Sequence, residues 1–538
     1  MSREERKELR RRERGSVLKK WTNRAPVCVA FPNTYYIGMS NLAVHLLYRE
    51  LNSRPDVVCE RVFLTPGGKP LSVESGRPLS AFEVVFFTLS FEIDYPNVVA
   101  MLRDGAIPLD PKERGKSDPL IVGGGICVMA NPEPMSPFFD LFIMGDVEAC
   151  LPPFIERYVE SRKRKRGEML DELSSWPWVY NPARLRVVYG EDGTVQEFAP
   201  PSFRAEIERY RGKGLATSAI IAHDTEFSDM LLVEGARGCP SACAFCLAGN
   251  IYPFIVDRLD RIGAEATDVG IIGGGVSFHP HLPDIIRRFG AMGVRVHLPS
   301  LRLDEAPLEV IGMIKNTIKT LTFGIEAGTE ALRRRLGKPV SDREIADRIE
   351  AIAEMASFHF KFYFMVGLPG ESREDVDAIV DLVKHILHVL VKKGSKKGRI
   401  GTLTVHASPF VPKAATPFQW LAMDETKLLK EKISILARGL GKVANTHFTH
   451  ESIKYSFLQG VFARGDRRLR EAIVRLAQGE TLSTVVRESP LNLHFYATRE
   501  RRENELFPWD FIEGTTEKTR LLRRLRACLS GIEQERRQ

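Results

Sequence analysis

Residues 235–250 read GARGCPSACAFCLAGN and place three cysteines, Cys239, Cys243 and Cys246, within one short stretch. Pro240 and the flanking glycines make it a loop, so helical stacking does not explain the spacing. Thiolates are the metal-binding form of cysteine, and three of them this close suit a soft metal. A closed structural zinc site needs four ligands, and the nearest histidines, His223 and His279, stand at no finger-like spacing. In a four-iron cluster each iron normally takes one cysteine. Three cysteines would leave one iron open to a small molecule.

Further polar and glycine positions follow in order along the chain. Gly273, Gly274 and Gly275 end a β-rich run, Ser300 and Arg302 follow another in LPSLRLDE, and Glu326 ends a third in FGIEAGTEALRRRLGK. Val366 lies in FMVGLPGES. Arginine suits a carboxylate because its planar fork donates two parallel hydrogen bonds. Nearer the N-terminus, FPNTYYIGMSN carries Asn33, Tyr35 and Gly38, TLSFEID carries Ser90, and VGGGICV carries Gly123 and Gly124.

A chain of 538 residues exceeds one ordinary core, so several domains must carry these groups. Between 25 and 155, apolar runs at 27–31, 57–64, 82–90, 119–124 and 140–145 alternate with helical stretches. Fully apolar strands of this kind predict a parallel sheet covered on both faces, here a doubly wound Rossmann-like domain. Residues 156–228 read as a bridging segment with a small β element, because LRVVYGEDGTVQEF has a hairpin turn at its centre. From 229 to 445, six strands (LLVEGA, VGIIGG, VRVHLP, TLTFGI, FKFYFMVG and GTLTVHA) alternate with helical stretches near 257–266, 281–292, 305–316, 329–357 and 372–392; another follows at 424–444. That alternation predicts a partial (β/α)6 barrel of the TIM type. Residues 1–24 form a basic tail, and 446–538 a helical C-terminal region.

Hydrophobic residues make up 43% and charged residues 27%, a globular balance, and no apolar run approaches the ~20 residues that span a bilayer. The N-terminal residues contain no signal-peptide core, and the other five cysteines are scattered. A reducing cytoplasm fits this usage. The net charge of +8 concentrates at the two ends, which read as solvated helical tails of mixed charge; an RNA footprint is the alternative.

Taken in order, the motifs over roughly 230–445 resemble the radical S-adenosylmethionine superfamily: the Cys-x3-Cys-x2-Cys loop after a first strand, Phe245 before the last cysteine, the glycine turn, and the Glu326 and Val366 strands. The resemblance implies a 4Fe–4S cluster on Cys239, Cys243 and Cys246, its fourth iron chelated by S-adenosylmethionine. One electron passed to the sulfonium then releases methionine and a 5′-deoxyadenosyl radical; a flavodoxin or ferredoxin is the implied donor. Implied cosubstrate contacts are Phe245, Gly273, Gly274, Gly275, Ser300, Arg302, Glu326 and Val366. Many relatives carry glutamate as the third residue of the glycine turn, so Gly275 leaves that contact to the backbone.

The spacing Asn33-x-Tyr35-x-x-Gly38 resembles the Asp-x-His-x-x-Gly motif of the cobalamin-binding domains fused to many superfamily members. Tyr35, Gly38, Ser90, Gly123 and Gly124 are the implied cobalamin contacts. Tyrosine stands where histidine would ligate cobalt, which implies a corrin without a protein nitrogen and with the Tyr35 ring beneath it. FVPKAATPFQW and LFPWDFIEG resemble one subgroup of these fusions. The implied function is a radical transferase that methylates an unactivated carbon. Two alternatives stand beside it. One is cobalamin-independent RNA modification, because the Glu326 strand also resembles tRNA methylthiotransferases, although those carry a further cysteine trio. The other is a non-enzymatic iron–sulfur sensor or scaffold. The sequence names neither the substrate nor the catalytic residues.

Overall fold

The run APVCVAF, without a polar side chain, forms strand β1 (Ala25–Phe31) and is buried along its whole length. In the computed structural model, which describes residues 3–241, 243–394 and 401–535, the chain forms two compact units. The first comprises Met1–Leu232, Val461–Tyr496 and Arg502–Glu517; the second comprises Val233–Gly460, Ala497–Arg501 and Lys518–Gln538. Met1, Ser2 and residues 536–538, at the ends of the expected tail and C-terminal region, lie outside the described residues.

In the first unit β1 lies between β2 (Val57–Phe63) and β3 (Val84–Thr88), all parallel. β4 (Leu120–Gly124) and β5 (Leu141–Ile143) continue the parallel sheet, and β6 (Val179–Tyr180) closes it antiparallel, giving the order β2-β1-β3-β4-β5-β6. Helices α1 (Leu42–Ser53), α2 (Tyr95–Asp104) and α3 (Val147–Ser161) are amphipathic and bury one face each. The direction in which strands are added across the sheet reverses between β1 and β3. Open α/β sheets bind ligands outside the carboxyl ends of the strands at such a switch point. The expected hairpin forms between Arg186–Tyr189 and Val195–Ala199.

The basic tail is not merely solvated. Glu13–Arg14 pairs antiparallel with Ile221–Ala222, and buried Arg61 bonds the Glu13 carboxylate at 2.7 and 2.9 Å and Glu74 at 2.7 Å. Removing one member of so buried a group would strand an opposite charge, which typically costs about 3–5 kcal/mol.

The second unit contains β7 (Leu231–Glu234), β8 (Asp268–Ile272) and β9 (Arg295–His297) in one sheet. β10 (Thr320–Glu326), β11 (His359–Val366), β12 (Leu403–Pro409) and β13 (Thr446–His450) form a second sheet, parallel throughout. A parallel bridge between Leu301 and Phe323 links the two. All six expected strands are present, and β13 is a seventh, within residues expected to be helical. Its sequence THFTH is too polar to announce a strand, yet an edge position tolerates it.

The helix expected near 257–266 is absent. Asp257 instead caps the Leu259 amide at 2.9 Å in a turn, and Ile255–Val256 pairs with Ala236–Arg237. The other crossovers are α4 (Leu282–Ala291), α5 (Leu308–Ile314), α6 (Asp342–Met355), α7 (Arg373–Gly394) and α8 (Thr426–Leu440). Residues 329–357 make two helices because Gly337, at φ +81°, stops Glu330–Arg335 and a Ser341–Glu344 capping box starts α6.

Right-handed crossovers place all these helices on one side of the strands. Phe360, Phe362, Phe364 and Val366 are buried on that side, while Lys361, Tyr363 and Met365 alternate with them and are half-buried. A closed TIM barrel fills its interior with branched apolar chains. Here the corresponding face is polar and accessible.

Residues 446–538 are not one helical region. They divide between the two units because separate segments bury separate apolar faces: Ile473 and Ala472 in the first, Leu521 and Leu525 in the second. No described helix is long and apolar enough to cross a membrane.

Candidate functional site

Gly238 turns the chain out of β7 at φ +73°, with a position so close to Pro253 that an added Cβ would lie 2.4 Å from its carbonyl oxygen. Cys239 follows directly. Cys243 is buried, and Cys239 and Cys246 are half-buried. The Cys246 amide donates to Cys243 O at 3.2 Å within the loop, and the Ala244 amide ties the loop to another segment by donating to Leu336 O at 3.0 Å. Asn250, 3% exposed, donates through Nδ2 to the carbonyls of Cys246 at 2.6 Å and Cys243 at 3.3 Å.

Burial raises the thiol pKa values of Cys239 and Cys246, and the neighbouring Cys243 pushes both the same way. Three thiolates together therefore need a cationic partner. Among the described residues no three ligating side chains already close around a metal. Of the two nearest histidines, His279 is engaged on both ring nitrogens and His223 on Nδ1. His279 uses Nε2 on Asp257 O at 2.9 Å and Nδ1 on the His281 amide at 3.1 Å, and His223 pairs with Asp229 at 2.6 Å. The donor set of three thiols on one segment fits an iron–sulfur cluster with one open iron.

Arg302 reaches this loop. Its Nη1 lies 3.6 Å from Cys243 Sγ and donates to Ser241 Oγ, while Nε and Nη2 engage Asp304. Its amide donates to Ser277 Oγ at 2.8 Å. The glycine turn after β8 packs on the same loop: a Cβ on Gly273, at φ +146°, would lie 2.0 Å from Ala236 O, and one on Gly275 would lie 2.9 Å from Gly238 O. Gly274 is exposed, with ordinary room around it.

Glu326 ends β10 at φ +74°, beside a register shift, and Lys338 bonds its carboxylate at 2.7 Å. A non-glycine residue in this region is strained, and such strain gathers at functional sites. Ser300 is exposed and Phe245 half-buried. Val366 is fully buried, and its carbonyl accepts from the Phe410 amide at 2.8 Å, so its side chain faces no ligand. These residues gather at the carboxyl ends of the strands, where barrel enzymes build their sites.

In the first unit, the loops after β1, β3 and β4 are joined at the switch point. Asn33 donates to Asp94 at 2.9 Å, Asn97 donates to the same oxygen at 3.2 Å, and Asn41 donates to Ser90 at 3.0 Å. Leu89 donates to Gly124 O at 2.7 Å. Burial raises the Asp94 carboxyl to about 6, against the two asparagine hydrogen bonds.

Tyr35 does not face this crevice. Its ring packs edge-on to Phe63 at 5.2 Å, and its hydroxyl donates to Glu13 at 2.6 Å within the core. Gly38 and Gly123 are explained by packing, since a Cβ would meet Phe63 at 2.4 Å and Phe142 at 2.6 Å respectively. Gly124 is different, with nothing nearer than 3.7 Å. The residues that do stand exposed on these loops are Tyr36, Ile37, Phe91 and Ile93, at 37–49%. Alternating apolar residues in SFEID, directly after a strand, were the available signal. Both nitrogens of His45 are engaged, by Met39 O at 2.9 Å and the Ile220 amide at 3.4 Å.

Residues 43–182 match the family model for the N-terminal part of radical SAM proteins, and residues 233–383 match that of the radical SAM superfamily. An uncharacterized protein of Methanocaldococcus jannaschii is 26% identical over 453 residues, covering 82% of this chain and 89% of its own length. The ribosomal protein uS12 methylthiotransferase RimO of Clostridium botulinum is 24% identical over 172 residues, 28% of this chain and 38% of its own. Among solved structures, the radical S-adenosylmethionine methyltransferase TsrM from Kitasatospora setae, with cobalamin and a 4Fe–4S cluster bound, is similar in fold. It aligns at a TM-score of 0.51 and 13% identity, covering 85% of this chain and 99% of that one.

Proposed function

The chain carries a radical S-adenosylmethionine core, and on that premise we propose that it is a cobalamin-associated radical enzyme transferring a methyl group to an unactivated carbon. The observation that carries this reading is the pairing, in one chain, of the three-cysteine loop with an α/β switch-point crevice presenting exposed apolar side chains. Cys239, Cys243 and Cys246 would hold three cluster irons, and the backbone of Gly273–Gly275 with Arg302 would hold the methionyl group of the cosubstrate. Glu326 would meet its ribose.

When bound, the cluster supplies one electron to the sulfonium and cobalamin supplies a transferable methyl group. The chain's own residues bind, orient and exclude water. Arg302 presents a cation beside Cys243, where a carboxylate would be met by a charge-assisted hydrogen bond. Phe91, Ile93 and Ile37 offer an apolar surface to the flat face of a corrin, and Gly124 offers bare backbone. His45, the histidine that follows the first of these loops, is engaged on both nitrogens and cannot turn to coordinate cobalt. On the accessible concave face of the half barrel, Tyr363 packs against His406 at 5.1 Å, and His406 bonds Thr449 at 2.8 Å; these are candidate substrate contacts. Superfamily members need an external electron donor, and a flavodoxin or ferredoxin would serve.

Anaerobic reconstitution with iron, sulfide and cobalamin tests the reading. The expected result is about four irons and one corrin per chain, with 5′-deoxyadenosine formed under strong reductant. A protein that assembles the cluster but takes up no corrin would exclude methyl transfer from cobalamin. A cobalamin-independent radical modification would then be favoured, of the methylthiotransferase kind that RimO carries out on a ribosomal protein.

A further inference from the structure

We infer that the closing helix of the second unit, α9 (Lys518–Glu535), is a positioning element for the cysteine loop, holding it through Arg524 and Asn250 and biasing the redox potential of whatever cluster that loop carries.

The inference rests on the cluster reading above and adds to it a role for a helix outside the stretch that matches the superfamily model. Arg524 Nη1 donates to Asn250 Oδ1 at 2.6 Å, across 274 residues of sequence. The other end of the same amide, Nδ2, donates to the carbonyls of Cys246 and Cys243 at 2.6 and 3.3 Å. One side chain therefore couples the closing helix to the backbone of two thiols. Asn250 is 3% exposed, so this amide has little water to exchange with. Each of its bonds is made in a place where leaving it unmade is expensive.

The coupling also carries charge. A guanidinium stays protonated at any working pH. The Arg524 guanidinium stands one amide away from the backbone carbonyls of Cys246 and Cys243, which places its charge beside the loop. A cluster gains one negative charge on reduction. A fixed cation in a partly desolvated position favours that reduced state, because Coulomb interactions weaken less there than in water. Helix α9 packs against Glu330–Arg335 and Pro417–Trp420 of the same unit, which holds Arg524 in place.

Three variants separate hook from charge: Arg524→Gln keeps a donor for Asn250 and deletes the cation, Arg524→Lys keeps the cation, and Asn250→Ala cuts the link. Iron content and a redox titration followed by electron paramagnetic resonance are the readouts. The expected result is a midpoint potential shifted negative in Arg524→Gln at full iron content, held near wild type in Arg524→Lys, and iron content reduced in Asn250→Ala. An unchanged potential in Arg524→Gln, or an equal shift in Arg524→Lys, overturns the electrostatic role. Full iron content and an unaltered spectrum in Asn250→Ala overturn the positioning role. A wild-type protein that binds no iron would instead remove the cluster reading itself.

Discussion

Arg302 Nη1 lies 3.6 Å from the sulfur of Cys243, so the side chain expected to meet a carboxylate already stands beside a thiol of the candidate cluster loop. It is pre-oriented by Asp304, which occupies Nε and Nη2 and leaves Nη1 turned to the loop. Arg302→Ala should keep its iron and bind S-adenosylmethionine about ten- to hundred-fold more weakly, the effect of losing one charge-assisted hydrogen bond of about 1.5–3 kcal/mol. Equilibrium binding to the reconstituted protein measures this, and unchanged affinity would move the cosubstrate away from Arg302.

The glycine turn makes a sharper contrast. Gly273 combines φ +146° with a position where an added Cβ would lie only 2.0 Å from Ala236 O, whereas at Gly274 it would meet nothing nearer than 3.5 Å. Gly273→Ala should displace the cysteine loop, lower iron content and reduce stability by about 1–3 kcal/mol, as backbone strain and overpacking usually do. Gly274→Ala should keep the fold and the iron. Equal iron content in the two variants would show that the turn does not brace the loop.

Asp94 gives a pH dependence with a definite sign. Its folded pKa, about 6, lies above the ordinary 3.8, so between those values the folded state binds the proton more readily than the unfolded chain. Stability from this group is full below about pH 4 and is lost as pH rises to about 6. Asp94→Asn retains an oxygen to accept from Asn33 and Asn97 and removes the buried charge. It should therefore stabilise the protein at pH 7 by on the order of 2–3 kcal/mol and leave it unchanged near pH 4. Denaturant midpoints of both proteins at the two pH values check this. His45, lowered to about 4, pulls the other way in the wild type, so only the difference between the two proteins isolates Asp94.

The cysteine loop, the glycine turn and the strands that end in Glu326 and Val366 were legible in the sequence because each is a local pattern. Spacing after a strand fixes where a residue lies along the chain. It does not fix which way a loop side chain points, and so Tyr35 reads as a crevice residue while the fold turns it into the core against Phe63. Strand β13 was hidden because an edge strand need not be apolar. The link from Arg524 to Asn250 was hidden for another reason, since no periodicity reports a contact across 274 residues.

The placement of Tyr35 changes what its substitution should do to a bound corrin. Were its ring beneath cobalt, Tyr35→His would bring an imidazole to the metal. Its hydroxyl instead serves Glu13, which also pairs with Arg61 at 2.7 Å in a buried cluster. Tyr35→His should therefore leave the spectrum of bound cobalamin in its base-off form and lower stability by about 1–3 kcal/mol, as buried Glu13 loses a donor. The exposed residues of the crevice should behave in the opposite way. Phe91, 49% exposed, contributes little to the core, and Phe91→Asp should leave stability within about 0.5 kcal/mol while weakening corrin uptake, since a carboxylate replaces an apolar contact surface. Absorbance titration with cobalamin, beside thermal melts of each variant, distinguishes the two residues. A base-on spectrum in Tyr35→His, with uptake unchanged in Phe91→Asp, would return the corrin to the position that the spacing alone suggested.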